Sequence, residues 1–159
     1  MWYIDESKKY FKKGSEKIMK ILLAIDGSDN AFRAAEFTAN LAEMIPGSRV
    51  TLVFVDTLAT IIKSRGGTLP EDYESIINEE IAKLFKRAEN LFAEKSIPYN
   101  IKILEGYDVA ETICDYAKEY NYDQIIMGTR GLGSIKGIIL GSVSHKVIQL
   151  APCPVTFVK

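Results

Sequence analysis

The chain reads as an α/β protein built on a parallel β-sheet with helices on both faces. Three observations predict this. Short unbroken apolar runs such as "IMKILLAI" and "RVTLVFVD" have the composition of strands buried on both sides. Longer segments between them carry apolar residues at helical spacing. From residue 18 onward the two patterns alternate, as in successive β-α-β units joined by right-handed crossovers. Such sheets take ligands outside the carboxyl ends of their strands, where the winding direction reverses.

The first strand, "IMKILLAI", stops at "DGSDN", a turn in which Ser28 or Asp29 supplies a helix N-cap. The helix that follows runs from Asp29 to about Ile45 and presents Arg33, Glu36, Asn40 and Glu43 as a solvated stripe. "PGS" ends it, and "RVTLVFVD" is the second strand. Residues 57–70 show no clear period and contain "SRGG", so a mobile loop is expected there. From Glu71, Ile77, Ile81, Leu84, Phe85, Ala88, Leu91 and Phe92 keep helical spacing, with acidic residues opening the helix as its dipole favours. "YNIKIL" alternates like an edge strand. "DVAETICDYAKEY" is a helix with Val109, Ile113 and Ala117 facing inward, and "DQIIMG" is the fourth strand. A glycine-rich stretch leads to the helix "SVSHKVIQL", with Val143, Val147 and Leu150 expected inward, and "CPVTFVK" is the last strand.

At 159 residues the chain suits one domain, here residues 18–159 preceded by an extension, residues 1–17. That extension holds five lysines against Asp5, Glu6 and Glu16, interleaved with Trp2, Tyr3, Tyr10 and Phe11. It suits an anionic surface, a partner subunit or a frayed end equally well. A net charge of -1 offers no concentrated basic surface for nucleic acid. No apolar run reaches the roughly 20 residues of a membrane span, and no signal-peptide core opens the chain. The two cysteines, Cys114 and Cys153, lack metal-ligand spacing and read as free thiols, small and buried, of a reducing compartment. Together these features predict a cytoplasmic protein with no nucleic-acid or membrane partner.

"GTRGLGSIKGIILGS", Gly128 to Ser142, places five glycines in fifteen residues between a strand and a helix. Loops of that kind cradle phosphates. This one is not a Walker A loop, since it lacks Gly-x4-Gly-Lys-Ser/Thr. Nor is it a dinucleotide fingerprint, because "GLGSIK" fails at the third glycine and follows the fourth strand instead of the first. His145, the only histidine, is expected at the surface. No nucleophile triad, carboxylate pair, activated cysteine or metal cluster is present, so strong catalysis is not indicated.

Gly128-x2-Gly131-x9-Gly141-Ser142 resembles the nucleotide-binding signature of the universal stress protein family. "KILLAIDGSDNA", "VTLVFVD" and "APCPVTFVK" extend the likeness from about Met19 to Lys159. The resemblance implies a Rossmann-like sheet of strand order 3-2-1-4-5. It also implies an ATP site formed by Ala24, Asp26, Val55, Met127, Gly128, Gly131, Gly141, Ser142, Val143 and Ser144. Asp26 would hold the adenosine and Val55 would meet adenine through its backbone. The glycines, the amides opening the last helix and the Ser142 hydroxyl would hold phosphates, with Mg or Mn bound through those phosphates. Other readings stay open for some residues. Asp26 suits a cap of the first helix or of its turn, Ser144 a phosphate donor or a first-turn residue, and Gly133 and Gly137 the loop alone. Lys63 and Arg65 suit either closure over a ligand or the surface. Arg130 is expected to be exposed.

By the same resemblance the last strand lies at a sheet edge. "PVTFV" carries no charge to protect it, whereas "NIKIL" at the other edge includes a lysine. A homodimer paired through the C-terminal strand is therefore expected, with protein partners unidentified. The implied function is a nucleotide-dependent regulator or sensor with at most slow ATP hydrolysis. The alternative is a member that acts through protein–protein contacts without nucleotide.

Overall fold

A computed structural model describes residues 18–131 and 140–159 in full, and the main chain of residues 2–5 and 8–12. At the N-terminus β1 (Trp2–Asp5) pairs antiparallel with β2 (Lys8–Lys12). The sequence reading assigned no elements to this segment. Five further strands, β3 (Lys20–Ala24), β4 (Arg49–Asp56), β5 (Tyr99–Glu105), β6 (Gln124–Gly128) and β7 (Val155–Val158), form one parallel sheet. Its order, β5-β4-β3-β6-β7, is 3-2-1-4-5 counted from β3, as expected.

Unbroken apolar composition and central position go together. Ile21, Leu22 and Leu23 of β3 are fully buried, and so are Ile125 and Ile126 of β6. Alternation along each strand divides the core in two. Ile21, Leu23, Leu52 and Ile126 pack under α1 (Asp29–Met44) and α3 (Tyr73–Glu94), against Ala34, Ala35, Ala39, Phe85 and Phe92. Leu22, Val53, Val55 and Ile125 face the other way, against Ile113 and Ala117 of α4 (Val109–Glu119). Cys114 and Met127 meet Val147 of α5 (Ser142–Leu150) on that same side. The sheet therefore has α1 and α3 on one face and α4 and α5 on the other. Its winding reverses between β3 and β6.

One expectation was wrong. Residues 57–70 are not simply a loop, because Thr57–Ser64 forms α2. The buried Asp56 side chain caps it, accepting from the Leu58 and Ala59 amides at 3.0 and 3.2 Å. Its second oxygen accepts the Tyr73 hydroxyl at 2.8 Å, tying the start of α3 to the end of β4. Burial and this carboxylate push the Tyr73 phenol up to about 12. The cap was visible in the sequence but was read only as the end of a strand. Leu150 also departs from expectation, being 43% exposed; Ile148 beside it is 54% exposed. Both cysteines are free, and burial pushes the Cys114 thiol up to about 11. Among the described residues no helix is long and apolar enough to cross a membrane.

Candidate functional site

The sheet alternation that divides the core also builds a cavity. Ala24, Asp26, Val53, Val55 and Met127 point toward α4 and α5 from the carboxyl ends of β3, β4 and β6. These two helices close over them only in part. The result is a cavity of about 350 Å³ at the reversal point, within the range of pockets that hold small organic ligands. All ten residues expected at a ligand site line it: Ala24, Asp26, Val55, Met127, Gly128, Gly131, Gly141, Ser142, Val143 and Ser144.

The two ends of the cavity differ chemically. Ala24, Val53, Val55, Met127, Val109 and Ile113 make an apolar slot. The other end is polar, formed by Asp26, Arg130, Gly131 and the start of α5. The α5 cap residue is Gly141, which offers no side chain to the first-turn amides. At α1, α2 and α4 the caps Ser28, Asp56 and Asp108 do accept such amides. Among the described residues no side chain caps the first amides of α5, so they and its partial positive charge are open to whatever enters the cavity. Ser142 is exposed there.

The root of the glycine-rich stretch is held on several sides. The Thr129 amide donates to Val158 of β7 and the Gly141 amide donates to Thr129, each at 2.8 Å. Asn30 of α1 reaches the Thr129 hydroxyl at 3.4 Å. Close approach explains two glycines. A Cβ on Gly128 would lie 2.8 Å from Asn30 Cβ and 2.9 Å from the Ala31 amide nitrogen, so only glycine lets β6 end against α1. A Cβ on Gly131 would lie 2.5 Å from Asp26 Oδ2. Gly128 thus packs against α1 and also lines the cavity.

Asp26 does not cap α1; Ser28 does, accepting the Ala31 amide at 3.1 Å. Asp26 Oδ1 instead accepts the Ser28 amide at 3.0 Å. Its other oxygen lies below Gly131 at the cavity wall. The Ser144 hydroxyl donates to the Gly128 carbonyl at 3.1 Å, so it ties α5 to β6. Lys63 pairs with Glu105 at 2.7 Å and does not line the cavity, nor does Arg65. His145 is exposed, as expected. Gly133 and Gly137 lie outside the described residues.

Arg130 overturns its expectation. It is half-buried, lines the cavity, and its Nε is buried with no hydrogen-bond partner among the described residues. Sequence reasoning also missed Val53, Val109 and Ile113 as cavity residues. The signal was present: Val53 shares the strand face of Val55, and Val109 and Ile113 were already read as inward. The apolar packing of α4 is joined by a polar link to α5. Lys146 of α5 reaches Asp108 Oδ2 at 3.0 Å and Glu111 Oε1 at 2.8 Å, joining the two helix starts beside the cavity. The Glu111 amide and Lys146 hold the Asp108 carboxyl below the usual carboxylate range.

This geometry can be set beside known proteins. A profile of the universal stress protein family matches residues 17–159. The chain belongs to the universal stress protein family. Universal stress protein YxiE of Bacillus subtilis is 32% identical over 151 residues, covering 88% of this chain and 98% of its own length. A universal stress protein of Thermus aquaticus is 36% identical over 143 residues, covering 87% and 97%. Among solved structures, the universal stress protein of Archaeoglobus fulgidus in complex with dAMP superposes with a TM-score of 0.66 at 27% identity. That match covers 89% of this chain and 98% of the other. In this universal stress protein the conserved architecture leaves its cavity between β3, β4 and β6, with α5 pointing into it.

Proposed function

We propose that this universal stress protein binds an adenine nucleotide, ATP in particular, and acts as a nucleotide-dependent regulator or sensor in the cytoplasm. The observation that carries the reading is the two-ended cavity: an apolar slot faces an uncapped helix N-terminus. A base is flat and largely apolar, while phosphates are anionic, so the two ends suit the two halves of one ligand. The dAMP complex of the archaeal relative supports adenine as the base. In this reading Ala24, Val55 and Met127 border the base, Asp26 meets the adenosine, and Gly131, Gly141, Ser142, Val143 and the Ser144 backbone surround the phosphates, with Gly128 supporting them. Among the described residues no group of three or more His, Cys, Asp or Glu is placed to hold a metal. Mg or Mn would therefore arrive bound to the phosphates and water. Among the described lining residues Asp26 is the one carboxylate, and at most slow hydrolysis is part of this proposal.

Protein purified without added nucleotide, then denatured, is expected to release stoichiometric adenine nucleotide on anion-exchange chromatography with mass detection. An empty preparation that also shows no heat with Mg-ATP in calorimetry would remove the nucleotide reading.

We also propose a homodimer joined through β7, with an isologous contact. All four residues of this edge strand are only half-buried. Exposed Ile148 and Leu150 on α5, just before it in sequence, add to the apolar surface. Light scattering at micromolar concentration is expected to give twice the 17.8 kDa chain mass; a monodisperse monomer would overturn the pairing.

A further inference from the structure

Two helices wall the cavity on its α4–α5 side. An apolar seam joins them, with Ala110 and Cys114 of α4 meeting Val147 of α5. Beside that seam they diverge onto the cavity, α4 through Val109 and Ile113 and α5 through Ser142, Val143 and Ser144. A ligand seated there touches both walls, so their separation decides how well it fits either one.

Lys146 spans the two helices. Its ammonium donates to Asp108 Oδ2 at 3.0 Å and to Glu111 Oε1 at 2.8 Å. Asp108 is itself the α4 cap, accepting the Glu111 amide at 3.0 Å. One cation on α5 therefore grips both the cap and the first turn of α4, and Val109 lies between the two points it holds. The Glu111 and Asp108 carboxylates push the Lys146 ammonium above its ordinary range, so it keeps its charge at neutral pH.

The three side chains are 38%, 37% and 57% exposed for Lys146, Asp108 and Glu111. Exposed pairs of this kind add little to global stability. The body of α4 does not need them, since Ile113, Cys114 and Ala117 are buried. The bridge instead fixes a local geometry, at the one turn of α4 whose half-buried Val109 borders the cavity.

Resting on the adenine-nucleotide reading, we propose that Lys146 is a positioning residue: its bridge holds the first turn of α4 at binding distance from α5 before a ligand arrives. Binding then has less ordering to supply, and affinity rises by preorganisation. The wall so placed belongs to the apolar slot, so nucleoside and nucleotide gain alike.

The test pairs hydrogen exchange of peptides covering residues 106–116 with calorimetric titration of adenosine and of AMP. Wild type, Lys146→Met and Lys146→Arg are compared. Without ligand, the first-turn amides of α4 in Lys146→Met should exchange about 3- to 10-fold faster than in wild type, while β3 and β6 stay within about 2-fold. Affinity for adenosine and for AMP should fall by a similar factor, about 3- to 10-fold. Saturating AMP should narrow the exchange difference. Lys146→Arg still reaches two carboxylates and should stay within about 2-fold of wild type in both readouts. Unchanged exchange in Lys146→Met would overturn the proposal, as would unchanged affinity. A loss confined to AMP would also overturn it, making Lys146 a direct phosphate contact. Equal losses in Lys146→Arg and Lys146→Met would remove the bridge as the cause. If Lys146→Met does not fold, Glu111→Gln decides alone, because it leaves the Asp108 cap in place: wild-type exchange and affinity overturn the proposal. A wild type that binds neither adenosine nor AMP would reject the nucleotide reading itself, while exchange in the free protein would still report whether Lys146 holds α4.

Discussion

Gly128→Val is expected to destabilise the protein by about 3 kcal/mol or more, lowering the melting temperature by about 6–12 °C. The first added carbon alone would stand 2.8 Å from Asn30 Cβ and 2.9 Å from both the Asn30 carbonyl carbon and the Ala31 nitrogen. Two of those atoms are main chain in the first turn of α1, so no rotamer change relieves the contact. Nor can α1 retreat easily. Ser28 caps it, and Ala34, Ala35 and Ala39 are fully buried against the sheet. The valine branches add to the crowding. The two other glycines of the motif provide internal controls. At Gly131 the obstacle is Asp26 Oδ2, the end of a side chain that can turn away. At Gly141 the nearest atom is 3.5 Å away and φ is -72°, so alanine fits. Substituting an N-cap glycine by alanine costs on the order of 1 kcal/mol or less. Thermal melts of Gly128→Val and Gly141→Ala in parallel provide the measurement. Equal melting temperatures for the two would sink the close-packing account of Gly128.

The second large effect is expected on binding. Val109→Trp should weaken adenine-nucleotide binding by at least about 100-fold, equivalent to roughly 2.7 kcal/mol, with little change in stability. Val109 is the first residue of α4, half-buried, and lines the apolar slot with Ile113, Val53 and Val55. Its position at the helix start leaves room for a larger side chain to turn into the cavity without displacing the buried Ile113 and Ala117 behind it. An indole there would occupy the volume assigned to the base. Calorimetry with Mg-ATP, beside a melting curve for the variant, checks both halves. A folded variant with wild-type affinity would show that the base does not lie in this slot.

Much of this architecture was readable from local pattern. The buried strands announced themselves as unbroken apolar runs because both their faces are covered. The helices showed their inward rows because 3.6-residue periodicity leaves one face dry. Even the Gly128, Gly131, Gly141 and Ser142 spacing survived as a spatial cluster, since the three glycines and the serine sit at one helix–strand junction. Asp56 marks where local reading stopped. Its residue type suited a cap, but the apolar residues of α2 follow a strand so closely that the start of the helix was hidden. The partner that fixes it, Tyr73, lies 17 residues away.

The amino-acid sequence thus determined by itself the alternation of the five sheet strands with α1, α3, α4 and α5, and with it a parallel sheet. These follow from hydrophobic periodicity and from glycine and cap residues acting over a few positions. Only the tertiary structure decided why each residue is there. Gly128 clears the main chain of α1, and Ser144 binds the Gly128 carbonyl. Asp26 is set against Gly131, while Val109 and Ile113 complete an apolar slot with strands far away in sequence. Arg130, which local polarity placed in water, is half-buried at the cavity wall. The reason is physical: burial and close contact are properties of neighbours, and those neighbours meet only when the sheet and its helices close together.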